Sequence, residues 1–306
     1  MNAKVTIILA TYNRAHLIEE TLRSIQQQSY KNFECLIIDD GGTDNTAQVI
    51  QPYLKDNRFD YYKRSDAYGK GLPGCRNFGL DRAIGEYIIF FDDDDIVHPQ
   101  NLEYCVKELQ NSKYSFCRYH RETFTGDFHY NFDQRENYMS IELDGRSTVK
   151  KLLTHEVPFN SCAVMWNRRC FDNFRFEENL QYAEEWELYS RILSNGFNGV
   201  TIDKTLFYGR KHPKSNTGEF WRNDSKRVNS KKAAILLVIN NLVVKKILTP
   251  SLLKYLTGLA ISYRDKRLLR KIMNIVNVSS STKLYYYIKY QMYPFWKPYK
   301  TIIKKW

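Results

Sequence analysis

Four consecutive aspartates, Asp92-Asp93-Asp94-Asp95, close a run of five apolar or aromatic residues, Tyr87 to Phe91. Such a run reads as a strand buried on both faces. Four adjacent carboxylates at its end repel one another until a cation neutralises them. Side chains at i and i+2 share one side of an extended backbone, so Asp92 and Asp94 are expected to face one site, with Asp93 turned away. Hard divalent cations take oxygen ligands and bind through one or two carboxylates plus substrate phosphates. The run therefore suggests a metal–diphosphate site at the carboxyl edge of a parallel sheet, where open α/β sheets bind ligands. The plainer alternative is a solvated acidic turn leading into a helix at Pro99.

Two other strand ends are polar in a matching way. Val5–Ala10 runs into Thr11-Tyr12-Asn13-Arg14, and Phe33–Ile38 into Asp39-Asp40-Gly41-Gly42-Thr43-Asp44. A nucleotide needs a cover for its base, an acceptor for its base N–H, partners for its ribose hydroxyls and a cation for its phosphates. Tyr12, Asp40, Asp92 and Asp94 can supply these in turn. Between the second and third polar ends lies Gly69-Lys70-Gly71-Leu72-Pro73-Gly74-Cys75-Arg76-Asn77. Its glycines permit close backbone approach to a ligand, and Lys70 and Arg76 can neutralise phosphate or contact a base. It lacks the GxxxxGK[ST] pattern of a P-loop. Singly, each feature is an ordinary turn or surface loop.

The elements that must hold these residues alternate. After Val5–Ala10 comes helical spacing over 17–28, then strand Phe33–Ile38, a helix over 43–53, strand Phe59–Lys63, a helix over 74–83 and strand Tyr87–Phe91. Strands alternating with helices predict a mostly parallel, doubly wound sheet. Beyond residue 100 the reading is mixed: helices over 99–111 and 183–195, and strands over 114–119, 161–166 and 199–208. After about 220 it is helical throughout. No internal repeat is found. The expected organisation is an α/β, Rossmann-like catalytic domain over 1–220, its nucleotide-binding half at 1–98 and its acceptor half at 99–220. A basic, aromatic-rich helical region follows over 221–306.

The quoted segments, joined by Cys75-Arg76-Asn77-Phe78-Gly79, Ala83-Ile84-Gly85-Glu86-Tyr87-Ile88 and Ala183-Glu184-Glu185-Trp186-Glu187-Leu188, resemble the family 2 inverting glycosyltransferases with the A-type fold. The resemblance covers roughly residues 4–215. It implies that Thr11, Tyr12, Arg14, Asp40, Lys70, Arg76, Asp92 and Asp93 bind the nucleotide, with Tyr12 on the base, Asp40 and Arg76 beside it, and Asp92 on the ribose. It implies that Asp94 holds Mn²⁺ or Mg²⁺ against the diphosphate and that Glu185 is the catalytic base, with Glu184 as the other candidate. His212 stands where family members carry a loop that closes over the phosphates, a further metal candidate. Asp95 and Trp186 are placed on the acceptor side. The usual Glu-Asp pair is Glu184-Glu185 in this chain. An inverting transfer is a single displacement that needs a base for the acceptor hydroxyl and charge stabilisation for the departing diphosphate. The implied substrates are a nucleotide sugar, UDP-linked, and a saccharide or lipid-linked saccharide acceptor. The implied setting is bacterial surface polysaccharide or glycoconjugate synthesis. A sugar-nucleotidyltransferase and a non-catalytic, membrane-associated scaffold stay open as alternatives. The first lacks its G-x-G-x-R loop.

Charge is unevenly placed. Residues 231–306 hold 13 lysines and 3 arginines against one acid, Asp265, a net of +15 beside +12 for the whole chain. Basic helices with aromatic belts read as interfacial, lying on an anionic membrane surface. A helical cap with a solvated lysine face is the alternative. No nucleic-acid module is recognisable. The six cysteines form no CxxC pair, which fits a reducing cytosol rather than a zinc site or disulfide framework. No signal peptide or membrane-spanning run is read. The expected location is cytoplasmic, peripheral on the inner face of the cell membrane.

Overall fold

The computed structural model describes residues 3–110, 113–211 and 216–303. Its strands are β1 (Val5–Thr11), β2 (Phe33–Asp39), β3 (Phe59–Lys63), β4 (Tyr87–Asp92), β5 (Ile96–Val97), β6 (Phe116–Phe124), β7 (Ser140–Leu143), β8 (Val164–Asn167) and β9 (Gly199–Arg210). Its helices are α1 (Ile18–Gln26), α2 (Thr46–Val49), α3 (Leu72–Leu80), α4 (Asn101–Leu109), α5 (Gly145–Leu153), α6 (Glu184–Ser194), α7 (Asn216–Trp221), α8 (Ser225–Val244), α9 (Pro250–Ser262), α10 (Lys266–Val276) and α11 (Ser280–Ile303). The chain divides into two compact units, 1–228 and 229–306.

In the first unit one mixed sheet runs in the order β3-β2-β1-β4-β8-β6-β9-β5, with β7 on β9. The four strands β3, β2, β1 and β4 are parallel, as the alternation of strands with helices predicts. Beyond β4 the sheet turns mixed, because β8 joins antiparallel to both β4 and β6. Register sets the chemistry: Thr11 lies level with Asp39, and its neighbour Ala10 with Asp92. Three polar strand ends thus meet at one edge. The two faces of β1 divide the packing. Val5, Ile7 and Leu9 belong to the core shared with Ile18, Leu22 and Ile25 of α1 and with α4. Ile8 meets α3, so closely that a Cβ on Gly79 would stand 2.6 Å from its Cγ2. Each such apolar side chain, fully buried, contributes about 1.5–3 kcal/mol.

Several elements differ from expectation, and the strand expected over 161–166 opens with a 3-10 turn at Ser161–Ala163 before β8 begins at Val164. The helix expected over 43–53 shrinks to four residues of α2 and a 3-10 turn at Tyr53–Lys55, because Pro52 disfavours helical backbone in the residue before it. The helix α5 was not anticipated. Asp144 caps it by accepting the Ser147 N–H at 2.8 Å, and Val149, Leu152 and Leu153 are buried at helical spacing. The strand β7 pairs with the start of β9, and its four residues, of which only Leu143 is buried, are too few to stand out in the sequence. All six cysteines are buried and free.

In the second unit α9 is capped by Thr249 and α10 by Asp265. Lys232 holds Asp265 at 2.8 Å. Arg264 and Tyr290 exchange two hydrogen bonds, at 2.8 and 3.0 Å, which fix α11 to the turn before α10. Among the described residues no helix is long and apolar enough to cross a membrane.

Candidate functional site

The ends of β1 and β2 are tied together by Asn13, which adopts left-handed backbone at φ 53°. Its Oδ1 accepts the N–H groups of Thr43 and Asp44 at 2.7 and 3.2 Å. The two neighbouring aspartates then separate in role. Asp39 is occupied by the Gly42 N–H at 2.8 Å and the Tyr61 hydroxyl at 2.6 Å. Asp40, buried, takes Arg64 Nε at 2.6 Å. Tyr12 projects with 45% of its surface exposed, and Lys70 Nζ sits 5.1 Å from its ring centroid. An exposed ring, a cation over it and a buried carboxylate are suitable groups for a nucleotide base.

The glycine-rich loop is pinned rather than loose. The Gly69 N–H donates to Glu178, and Asn77 binds Glu178 Oε1 at 2.8 Å and the Phe176 carbonyl at 2.9 Å. Gly71 takes φ +117°, and a Cβ on Gly74 would fall 1.8 Å from the Gly69 carbonyl oxygen. Only glycine fits the second position without displacing backbone.

Arg76 leaves this loop for the interior. Its guanidinium is buried between the Phe90 and Phe176 rings, at 5.7 and 5.4 Å. It reaches Asp92 Oδ1 and Glu184 Oε1 at 3.3 Å each, and donates to Ser161 Oγ at 2.8 Å. Burial opposes its charge, and Asp92 and Glu184 more than restore it. Asp40 is partnered by Arg64, while Arg76, expected to help at the base, reaches Asp92, Glu184 and Ser161. Arg64 follows β3 directly, the one strand end at this edge that the sequence reading left unexamined.

The strand β4 ends at Asp92 and the chain turns at Asp93-Asp94. The turn returns Asp95 toward Asp92. These two carboxylates and the Cys162 thiol present atoms within 4.8 Å of one another. Asp92 and Asp94 are both half-buried while Asp93 and Asp95 are buried, so Asp95 is a further neighbour of Asp92 and does not displace Asp94. Asp93 does turn inward, where burial raises its pKa to about 7 and Arg14 Nε lies 3.7 Å away. Asp95 is buried and accepts the Arg210 N–H at 2.7 Å. Burial and then Asp92 and Asp94 push its pKa well up. Arg210 Nε also donates to the Asp94 carbonyl at 3.1 Å, and its Nη2 reaches Glu20. One arginine from β9 thus fixes the turn.

The opposite wall is the start of α6. Ala183 before it is left-handed, at φ 66°, which turns the first helical residues toward the sheet edge. Acids are favoured there by the helix dipole. Glu184 is committed to Arg76. Glu185, partly accessible, accepts the Ser161 backbone N–H at 2.7 Å. Burial raises its pKa to about 7, against the pull of Arg76 and with the push of Glu184. Glu187 forms an i,i+4 pair with Arg191, at 2.6 Å. Trp186 does not face an acceptor: it is buried and donates to the Leu153 carbonyl of α5 at 3.2 Å. Its place on α6 turns it away from Glu185. Arg121 of β6 brings a further cation within electrostatic reach of Cys162, Asp95, Asp92 and Glu185. Its Nη2 lies so close to Gly209 that a Cβ there would stand 2.1 Å away. Ser161 and Arg121 carried no motif in the sequence. His212 lies outside the described residues.

A sequence model described as glycosyl transferase family 2 matches residues 6–174. An uncharacterised glycosyltransferase of Rickettsia conorii is 31% identical over 207 residues, 67% of this chain and 32% of its own length. The chain thus spans about a third of that relative. A UDP-Glc:alpha-D-GlcNAc-diphosphoundecaprenol beta-1,3-glucosyltransferase of Escherichia coli is 35% identical over 112 residues, 37% of this chain and 43% of its own. In fold, the chain is similar to S. aureus TarS 1-349 in complex with UDP-GlcNAc, with a TM-score of 0.67 and 18% identity over 89% of this chain and 79% of that one.

Proposed function

The chain belongs to glycosyl transferase family 2, and on that premise we propose that it is a metal-dependent inverting glycosyltransferase using a UDP-linked sugar. The observation that carries this reading is one buried guanidinium, Arg76, joining Asp92 on the donor side to Glu184 on the helix that bears Glu185. It couples a diphosphate-binding edge to a carboxylate with a pKa of about 7.

In this reading Tyr12 covers the base, with Lys70 over the same ring. Asp40 accepts from the base and is oriented by Arg64. Asp92 serves the ribose and the diphosphate edge. The carboxylates suit a hard cation: Asp92 and Asp95 bring oxygens within 4.8 Å. Burial keeps the third member, Cys162, a neutral thiol that is no ligand for such an ion. Asp94 and Asp92 are the proposed holders of Mn²⁺ or Mg²⁺, with Asp95 fixed behind them by the Arg210 N–H. Such an ion, when bound, would offset the charge of the departing diphosphate. Glu185 takes the proton of the acceptor hydroxyl as that oxygen attacks the anomeric carbon. The bond to the UDP oxygen breaks on the opposite face, so configuration inverts. The Ser161 N–H holds Glu185 in place for the transfer.

The name of the E. coli relative supports a lipid-linked saccharide acceptor. We take the same class for this chain, with the work of the enzyme in surface-glycan assembly at the cytosolic face of a membrane. The test is to incubate the chain with a panel of UDP-sugars, with Mn²⁺ and with chelator. Metal-dependent release of UDP with sugar transfer is expected. Release of inorganic phosphate, or turnover unaffected in Asp94→Ala and Glu185→Gln, overturns the reading.

A further inference from the structure

The helix α11 carries an apolar face that the second unit leaves uncovered. Leu284, Ile288, Met292 and Phe295 recur at spacings of four, four and three, which places them on one side of a helix. They are exposed by 61, 55, 44 and 72%, with Tyr285 beside them at 54%. The other side of α11 is engaged: Tyr286 is buried, and Tyr290 is hydrogen-bonded to Arg264. The face is therefore not a fraying segment but the outward side of an anchored helix. Soluble proteins seldom leave a contiguous apolar strip of this kind without an occupant.

Charge identifies the occupant. The strip lies within 231–306, where the net charge is +15. Lys289, at the margin of the strip, extends its Nζ to 4.9 Å from the Tyr285 ring centroid. A lysine beside a tyrosine, flanking an apolar strip, suits an interface in which methylenes enter the lipid and the ammonium stays at the headgroups. We propose that the Leu284–Phe295 face of α11 lies in the surface of an anionic bilayer, with the strip among acyl chains and the surrounding lysines on anionic headgroups. This rests on the reading that the acceptor is lipid-linked, and it names the residues that would bring the enzyme to such an acceptor.

The test uses the full chain and sedimentation with vesicles of phosphatidylcholine alone or with phosphatidylglycerol added. Binding should be stronger to the anionic vesicles and weaken with salt. The double variant Ile288→Glu with Phe295→Glu should lose about tenfold in partitioning. Both positions are exposed, so helix content by circular dichroism should hold. Lys289→Gln should reduce the preference for anionic lipid alone. Unchanged partitioning in the double variant overturns the proposal. So does a chromatographic dimer that the double variant dissolves while vesicle binding persists, since a second copy then covers the face. Equal transfer to a lipid-free saccharide with and without vesicles, while vesicle binding stays intact, would sink the acceptor reading and leave the surface standing.

Discussion

The backbone N–H of Ser161 donates to Glu185 Oε2 at 2.7 Å, and the hydroxyl of the same serine accepts from Arg76. One residue thus holds both the carboxylate proposed as base and the guanidinium that neutralises its neighbour. The arrangement separates two adjacent glutamates. Glu184 is tied to Arg76, whereas Glu185 is left with a pKa of about 7.

A base must be ionised to accept a proton, so kcat/KM should rise through about pH 7 as Glu185 loses its proton. Glu185→Gln should reduce kcat by about 10²–10⁴-fold, the usual worth of general base catalysis, and abolish that rise. Its KM for the nucleotide sugar should change little. A pH–rate profile of both proteins checks this. A profile in Glu185→Gln with the same inflection would remove Glu185 from the mechanism.

The same shift carries a stability consequence of opposite sense. Because the folded pKa of Glu185 lies above its unfolded value, the folded state binds the extra proton. Its contribution is full below the unfolded pKa and is lost as pH rises through about 7. Glu185→Gln, which needs no ionisation, should therefore gain in Tm relative to the parent at pH 8 and show little gain at pH 5. Thermal melts at the two pH values decide it, and a gain of equal size at both would assign the effect to packing instead.

Base recognition offers a separate handle. Arg64 Nε holds Asp40 Oδ1 at 2.6 Å in a largely buried pair, and breaking one partner of a buried pair leaves the other uncompensated. Arg64→Ala should weaken UDP binding by about tenfold, corresponding to one or two lost charged hydrogen bonds, while kcat at saturating donor stays near that of the parent. Calorimetric titration with UDP measures the first and steady-state kinetics the second.

The donor half was legible because its information is local. Mostly apolar segments of six or seven residues form β1, β2 and β4, and a parallel register brings Thr11, Asp39 and Asp92 to one edge. What stayed hidden depends on where distant segments meet. Ser161 and Arg121 come from the turn before β8 and from β6, and nothing in their neighbours marks them. The pairing of Asp92 with Asp95 was hidden for another reason. The strand stops at Asp92 and the chain turns, which brings Asp95 back beside Asp92 although the two are three residues apart. The partners of Arg76 were hidden because they come from β4, the turn before β8 and α6, segments distant from it in sequence.

The glycine loop yields the last prediction. A Cβ on Gly74 would stand 1.8 Å from the Gly69 carbonyl oxygen and 2.8 Å from its carbon, both backbone atoms. Backbone cannot rotate aside as a side-chain tip can, so Gly74→Ala must move either α3 or the turn at Gly69. The turn at Gly69 is held by Glu178, which also binds Asn77, so the displacement spreads to both strands of the loop. Overpacking of this kind costs about 1–3 kcal/mol. The segment that shifts carries Lys70, the cation over Tyr12, so donor affinity should fall together with stability. Gly79→Ala meets instead the side chain of Ile8, and should lower stability while leaving UDP affinity intact. Urea denaturation and UDP titration of the two variants separate the effects. If Gly74→Ala loses stability but binds UDP as well as the parent, Lys70 has no part in holding the nucleotide.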